Sequence, residues 1–159
     1  MHVMAQESDK EEAKPHKIAL VLGVTHIPDA FEEKHFEKAV YVPTIGLDYF
    51  YQLDEKWKLG LAVDLELGNY LVDFNREPLS RENALVTVAL AGFEILSGWG
   101  ILVGPGMEFE KNKNLFIFRI GTEYEFELGN DWGLFPSFNY DFKKEYSTWD
   151  FSIGLSKRL

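Results

Sequence analysis

From about residue 17 onward the chain alternates large apolar residues with small or charged ones, one for one. Trp57, Leu59, Leu61, Val63, Leu65 and Leu67 share one parity, and Lys58, Gly60, Ala62, Asp64, Glu66 and Gly68 the other. A period of two marks a strand whose two faces meet different surroundings. The pattern returns with Ile101, Val103, Met107 and Phe109 against Gly100, Gly104, Gly106, Glu108 and Glu110. It returns again with Phe116, Phe118, Ile120, Tyr124 and Phe126 against Arg119, Gly121, Glu123 and Glu125. Leu134, Phe138, Tyr140 and Phe142 oppose Ser137, Asn139 and Asp141, and Trp149, Phe151, Ile153 and Leu155 oppose Asp150, Ser152, Gly154 and Ser156. One stretch departs from it: Val86, Val88 and Leu90 are out of phase with Phe93 and Ile95, which predicts a bulge at Gly92.

Three short turn segments punctuate the pattern, Leu53-Asp54-Glu55-Lys56-Trp57, Leu96-Ser97-Gly98-Trp99 and Leu128-Gly129-Asn130-Asp131-Trp132. Each is a leucine, a few turn-forming residues and a tryptophan that opens a new alternation, a hairpin repeat. Successive tryptophans are 42 and 33 residues apart, room for two strands of about 11 residues and one longer polar loop. Eight strands follow: Lys17 to Ile27, Val40 to Gln52, Trp57 to Leu71, Ala84 to Ile95, Trp99 to Glu110, Leu115 to Leu128, Gly133 to Lys143 and Thr148 to Leu159. The predicted fold is all-β, an eight-stranded antiparallel up-and-down barrel over residues 16–159.

Which face points inward separates a soluble barrel from a transmembrane one. The polar face carries Gly23, Gly46, Gly60, Gly68, Gly100, Gly104, Gly106, Gly121 and Gly154, small residues suited to a narrow lumen and useless as a solvent coat. The apolar face therefore meets lipid. A strand of about 11 residues tilted by about 40° rises roughly 28 Å, the height of an outer-membrane apolar band. Trp57, Trp99 and Trp132 would form one aromatic girdle, and Tyr41, Tyr70 and Trp149 the other. Pro43, Pro105 and Pro136 fall on the apolar face, where local bulges near strand ends are expected to absorb the lost donors.

Composition narrows the function. The chain has 159 residues, no cysteine and a net charge of −10. Disulfides and thiolate zinc sites are excluded, and no basic patch exists to neutralise nucleic-acid phosphates. No apolar run reaches the ~18 residues of a membrane-spanning helix. The mean hydropathy of −0.18 says little, because the two faces of a barrel strand cancel. Val3-Met4-Ala5 before Gln6-Glu7-Ser8 looks like a signal-peptide cleavage site, and Glu7 to Lys14 is charged; residues 1–15 are read as a signal remnant and disordered lead-in.

The turn repeats, the two-faced strands and the terminal strand Trp149 to Leu159 resemble the small outer-membrane barrels of the OmpA and OmpX type. That resemblance implies the cell outer membrane of a Gram-negative bacterium, contact with outer-membrane lipid, and passage through the barrel-assembly machinery. The terminal strand departs from the family signal, ending in Leu159 instead of an aromatic residue and placing Lys157 on the apolar phase. The family's roles are those of a non-enzymatic membrane anchor, a surface-interaction protein or a subunit of an outer-membrane complex. A lipid-modifying hydrolase and a soluble barrel holding an apolar ligand are the alternatives.

Candidate residues follow from parity. Arg119 is the inward base near mid-height, placed opposite Asp141 with Glu108 diagonal to it, which predicts an ion-pair network in the lumen. Arg76 and Arg81 in the second long loop are candidates for lipopolysaccharide phosphates. A hydrolase would draw on His26, Ser147 and Glu145, a base, a nucleophile and an acid on the lipid-facing phase at one rim. His2, His16 and His35 lack ligand spacing, so neither a metal nor a cofactor is expected.

Overall fold

The structure, a computed structural model, describes residues 14–28, 30–31, 39–74 and 77–159. Its strands are β1 (His16–Ile27), β2 (Ala30–Phe31), β3 (Val40–Gln52), β4 (Trp57–Glu66), β5 (Asn69–Phe74), β6 (Glu77–Glu82), β7 (Leu85–Leu96), β8 (Trp99–Phe109), β9 (Leu115–Tyr124), β10 (Phe126–Gly129), β11 (Trp132–Lys143) and β12 (Thr148–Arg158). β10 continues β9 beyond a break at Glu125, so that β1, β3, β4, β7, β8, β9–β10, β11 and β12 form a closed eight-stranded antiparallel barrel. Closure runs through β12 against β1, Lys17 opposite Arg158 and His26 opposite Trp149.

Parity decides what each side chain meets. Leu22, Leu47 and Phe116 are 58%, 61% and 62% exposed, while Ile117, beside Phe116, is fully buried. The outer wall is a continuous apolar belt and the interior a packed mixture of charge and small residues. Gly154 and Gly60 sit where a Cβ would strike the rings of Phe135 and Phe50, which lie across the lumen floor.

Three expectations are corrected. β7 keeps one register through Gly92, with Val86, Val88 and Leu90 all inward and buried; the irregularity comes at Glu94 to Leu96, where the hairpin turns. Those three apolar residues pack with Phe50, Ala62, Leu102 and Ile117 into a lumenal apolar layer, so the phase conflict was an apolar inner face and not a bulge. The prolines bring no register shift: Pro43 pairs with Val24, Pro105 with Phe118 and Pro136 with Ile153 in unbroken ladders. On its other side Pro105 has no donor for β7, and that pairing lapses at Ala89 and Leu90 before resuming in the same register. Third, β4 stops at Glu66, and the residues after Gly68 turn back as the hairpin β5–β6, which with β2 makes a separate three-stranded sheet.

That small sheet caps one end of the barrel. Tyr70 and Val72 from β5 join Ile27, Ala30, Val40, Val42, Leu115 and Tyr146 in an apolar cluster above the strand ends. The cap end carries the long connections, and the opposite end the three tight turns.

Candidate functional site

The lumen holds three stacked layers of charge. In the middle, Arg119 Nε and Nη2 donate to Asp141 Oδ1 and Oδ2 at 2.7 and 2.8 Å, and Nη1 donates to Asp64 Oδ2 at 2.7 Å. Asp141 is the cross-strand neighbour on β11, whereas Asp64 comes from β4 on the far wall. Glu108 is not part of this fork. Arg119 stands opposite Gly104 on β8, and Glu108 lies four residues further along, about 13 Å at strand rise. A cavity of about 20 Å³ beside the fork, lined by Asp48, Asp150, Ser137 and Ser152 among others, has room for a water or two.

Toward the tight-turn end, Lys17 pairs with Glu125 at 2.9 Å and with Glu123 at 3.5 Å, and Lys58 from β4 also pairs with Glu123. Arg158 reaches Glu125 at 3.5 Å. A vestibule of about 80 Å³ opens there.

At the cap end Glu108 is the hub. It takes an ion pair from Arg81 on β6, another from Lys143 on β11, and a 2.8 Å hydrogen bond from the Tyr146 hydroxyl. Arg81 Nη1 also donates to Glu110 Oε2 at 3.2 Å and to the Lys113 carbonyl. Tyr70 donates to Glu66 Oε2 at 3.2 Å. Burial opposes the Arg81 charge, but Glu108 beside it outweighs that and holds the guanidinium above its ordinary range. Burial pushes the Tyr70 and Tyr146 phenols up as well, so both serve as neutral donors. Arg81, expected on an exposed loop, is thus fully buried, because the hairpin folds inward over the barrel mouth. Arg76 and His35 lie outside the described residues.

Among solved structures, the chain is similar to the outer membrane protein OprG from Pseudomonas aeruginosa, with 12% identity, a TM-score of 0.59, and 92% of this chain covering 97% of that one. Ail, the attachment invasion locus protein of Yersinia pestis, solved in complex with the heparin analogue sucrose octasulfate, matches at 12% identity and a TM-score of 0.57, over 91% of this chain and 99% of Ail. Neisserial surface protein A matches at 8% identity and 0.56, over 92% and 98%. This chain has the fold of the small outer-membrane barrels. Together with the apolar belt, that fold is the one with which outer-membrane barrels cross their membrane, short turns on the periplasmic side and longer loops outside. No family model and no curated protein matches the sequence.

The girdles follow this placement. Trp57, Trp99 and Trp132 open β4, β8 and β11 on the tight-turn rim, each more than 40% exposed. Trp149 and Tyr41 occupy the cap-end rim around His26, with ring centroids 4.7 and 4.6 Å from the imidazole. Tyr70 is corrected: only 3% exposed, it belongs to the cap interior. Lys157 on the lipid-facing phase of β12 bends back to the Asn130 carbonyl and lies over the Trp132 ring, 5.2 Å from its centroid, which returns its charge to the interface.

The hydrolase candidates do not assemble. Closure sets His26 against Trp149 instead of Ser147, and Nδ1 of the imidazole is buried without a hydrogen-bond partner. Glu145 is engaged by Lys113 at 3.0 Å. No hydrogen bond joins the three, so nothing here could relay a proton from serine to histidine. Among the described residues no group of three or more His, Asp or Glu has metal-binding geometry. Sequence reasoning put Asp64 on the inner face without pairing it with Arg119, put Arg81 on an exposed loop, and missed Tyr146. The Tyr70 and Val72 alternation was the available signal for the hairpin that positions Arg81.

Proposed function

We propose that the chain is a non-enzymatic outer-membrane barrel that anchors a rigid cap at the cell surface, as a surface-interaction protein or as a subunit of an outer-membrane complex. The observation that carries this reading is the blocked interior: the Arg119 fork fills the middle, and Arg81, Glu108, Lys143 and Tyr146 close the outer mouth. An eight-stranded lumen packed with side chains passes no solute. What is left to present to a partner is the cap, whose described strands are held in place by a hydrophobic cluster and buried charge. The two-faced terminal strand β12 supports biogenesis through the barrel-assembly machinery.

Because the chain has no cysteine, single cysteines report topology cleanly. Asp73→Cys in the cap is expected to react with a membrane-impermeant maleimide in intact cells, and Glu55→Cys in a tight turn only after permeabilisation. Liposomes carrying the purified protein should show no swelling in small sugars. Sustained sugar entry, or reversed labelling, would count against the proposal.

A further inference from the structure

At the cap-end rim each strand leaves the apolar belt, and the residue one or two positions beyond its last lipid-facing side chain comes to headgroup depth. On five strands that residue is uncharged: Pro28 after β1, Ala39 before β3, Leu67 after β4, Asn83 before β7 and Ser147 before β12. The other three strands are neighbours, β8, β9 and β11. There Lys111 lies exposed two residues past Phe109, Lys144 exposed two residues past Phe142, and Asn114 exposed two residues before Phe116 between them. In a chain of net charge −10, two exposed cations thus share one sector, roughly 16 Å apart in the ladder, two strand spacings across and four residues along.

The wall beneath them is aromatic and exposed, with Phe116 62%, Phe142 48%, Phe109 41% and Phe118 41% accessible. The loop above is fixed in shape. Asn112 donates to the Ser80 carbonyl at 2.9 Å, its backbone N–H donates to Glu110 Oε2 at 2.8 Å, and the Lys113 to Glu145 pair ties this loop to that of Lys144. Lys111 and Lys144 form no ion pair with a described residue.

We infer that this sector is a binding site for a phosphate-bearing lipid of the outer leaflet, its phosphates on Lys111 and Lys144 and its acyl chains along Phe109, Phe116, Phe118 and Phe142. Lysine is suited to phosphate as a point charge, and the aromatic wall continuous with it gives the hydrocarbon a partner that a soluble anion would not use. The inference rests on the outer-membrane placement with the cap outward, and it moves the lipid-phosphate role from the buried Arg81 to two exposed lysines.

The test compares wild type, the double variant Lys111→Gln/Lys144→Gln, and Lys56→Gln at the opposite rim, each refolded in detergent and checked for heat-modifiable migration. Binding is measured with lipid A carrying its phosphates and with the phosphate-free form. Wild type and Lys56→Gln should prefer the phosphorylated lipid by about thirtyfold, from two charges near a membrane surface, and the double variant should lose that preference. Equal binding of both lipids by wild type, or an unchanged preference in the double variant, would overturn the site. So would inorganic phosphate competing as well as the lipid. A protein monodisperse without detergent would instead strike the membrane placement itself, a separate outcome.

Discussion

Arg119 and Asp141 face each other in exact cross-strand register on β9 and β11, and two guanidinium nitrogens reach both carboxylate oxygens at 2.7 and 2.8 Å. Asp64 completes the site from the opposite wall. Removing one partner of a buried pair strands the other charge, at a cost of about 3–5 kcal/mol. Arg119→Ala should therefore lower the urea unfolding midpoint in detergent sharply. The triple replacement Arg119→Met/Asp141→Leu/Asp64→Leu should recover much of the loss, since apolar residues of similar volume leave no unpaired charge. An Arg119→Ala midpoint equal to wild type would refute the network's structural role.

Arg81 latches the cap. Its guanidinium is buried against Glu108 and Glu110, so Arg81→Ala leaves Glu110 without its cation and Glu108 with Lys143 alone at the mouth. The expected result is local opening: faster amide exchange around Tyr70 and Val72 in β5, with β1 and β12 unchanged and the heat-modifiable band retained. Lys56→Ala, in an exposed turn, should leave exchange unaltered. Uniform exchange across cap and barrel in Arg81→Ala would show that the cap is not a separate cooperative unit.

Glycines on the lumen face should differ from turn glycines in their response to alanine. At Gly104 an added Cβ would run into the Ala89 carbonyl, backbone that cannot step aside. At Gly129 nothing lies within 4 Å, and the penalty is the left-handed φ of +88°, about 1 kcal/mol for a residue with a Cβ. Gly104→Ala is thus expected to reduce refolding yield severely and Gly129→Ala only slightly, both read from the fraction of heat-modifiable protein.

Asp54 accepts hydrogen bonds from the Lys56 and Trp57 amides, each at 2.8 Å, in the first tight turn. Those two amides hold its carboxyl below the ordinary 3.8. A depressed folded-state pKa stabilises above the unfolded value and loses that contribution as pH falls through the folded one. The gap in urea midpoint between wild type and Asp54→Ala should therefore be full at pH 6 and shrink as the pH drops below 3.8. A gap that stays constant down to pH 2 would mean that the charge on Asp54 does not matter to the turn.

The alternation of Leu59, Leu61 and Val63 with Gly60, Ala62 and Asp64 was enough to determine strands, barrel and lipid-facing side, because each residue's face follows from parity with its immediate neighbours. The Arg119 to Asp141 contact was legible for the same reason: a tight turn between adjacent strands sets their register. Parity failed at Val86, Val88 and Leu90, where an apolar inner layer looks locally like a slip of phase. Asp64 could not be read, since it meets Arg119 across the lumen, and only closure of the sheet with its tilt decides which heights on opposite walls coincide. The same holds for Glu108, whose partners Arg81, Lys143 and Tyr146 arrive from a folded-back hairpin, a barrel strand two places away and a loop. Their meeting depends on a hairpin that buries Tyr70 and Val72 over the mouth, a tertiary choice driven by apolar surface that the strand ends leave uncovered.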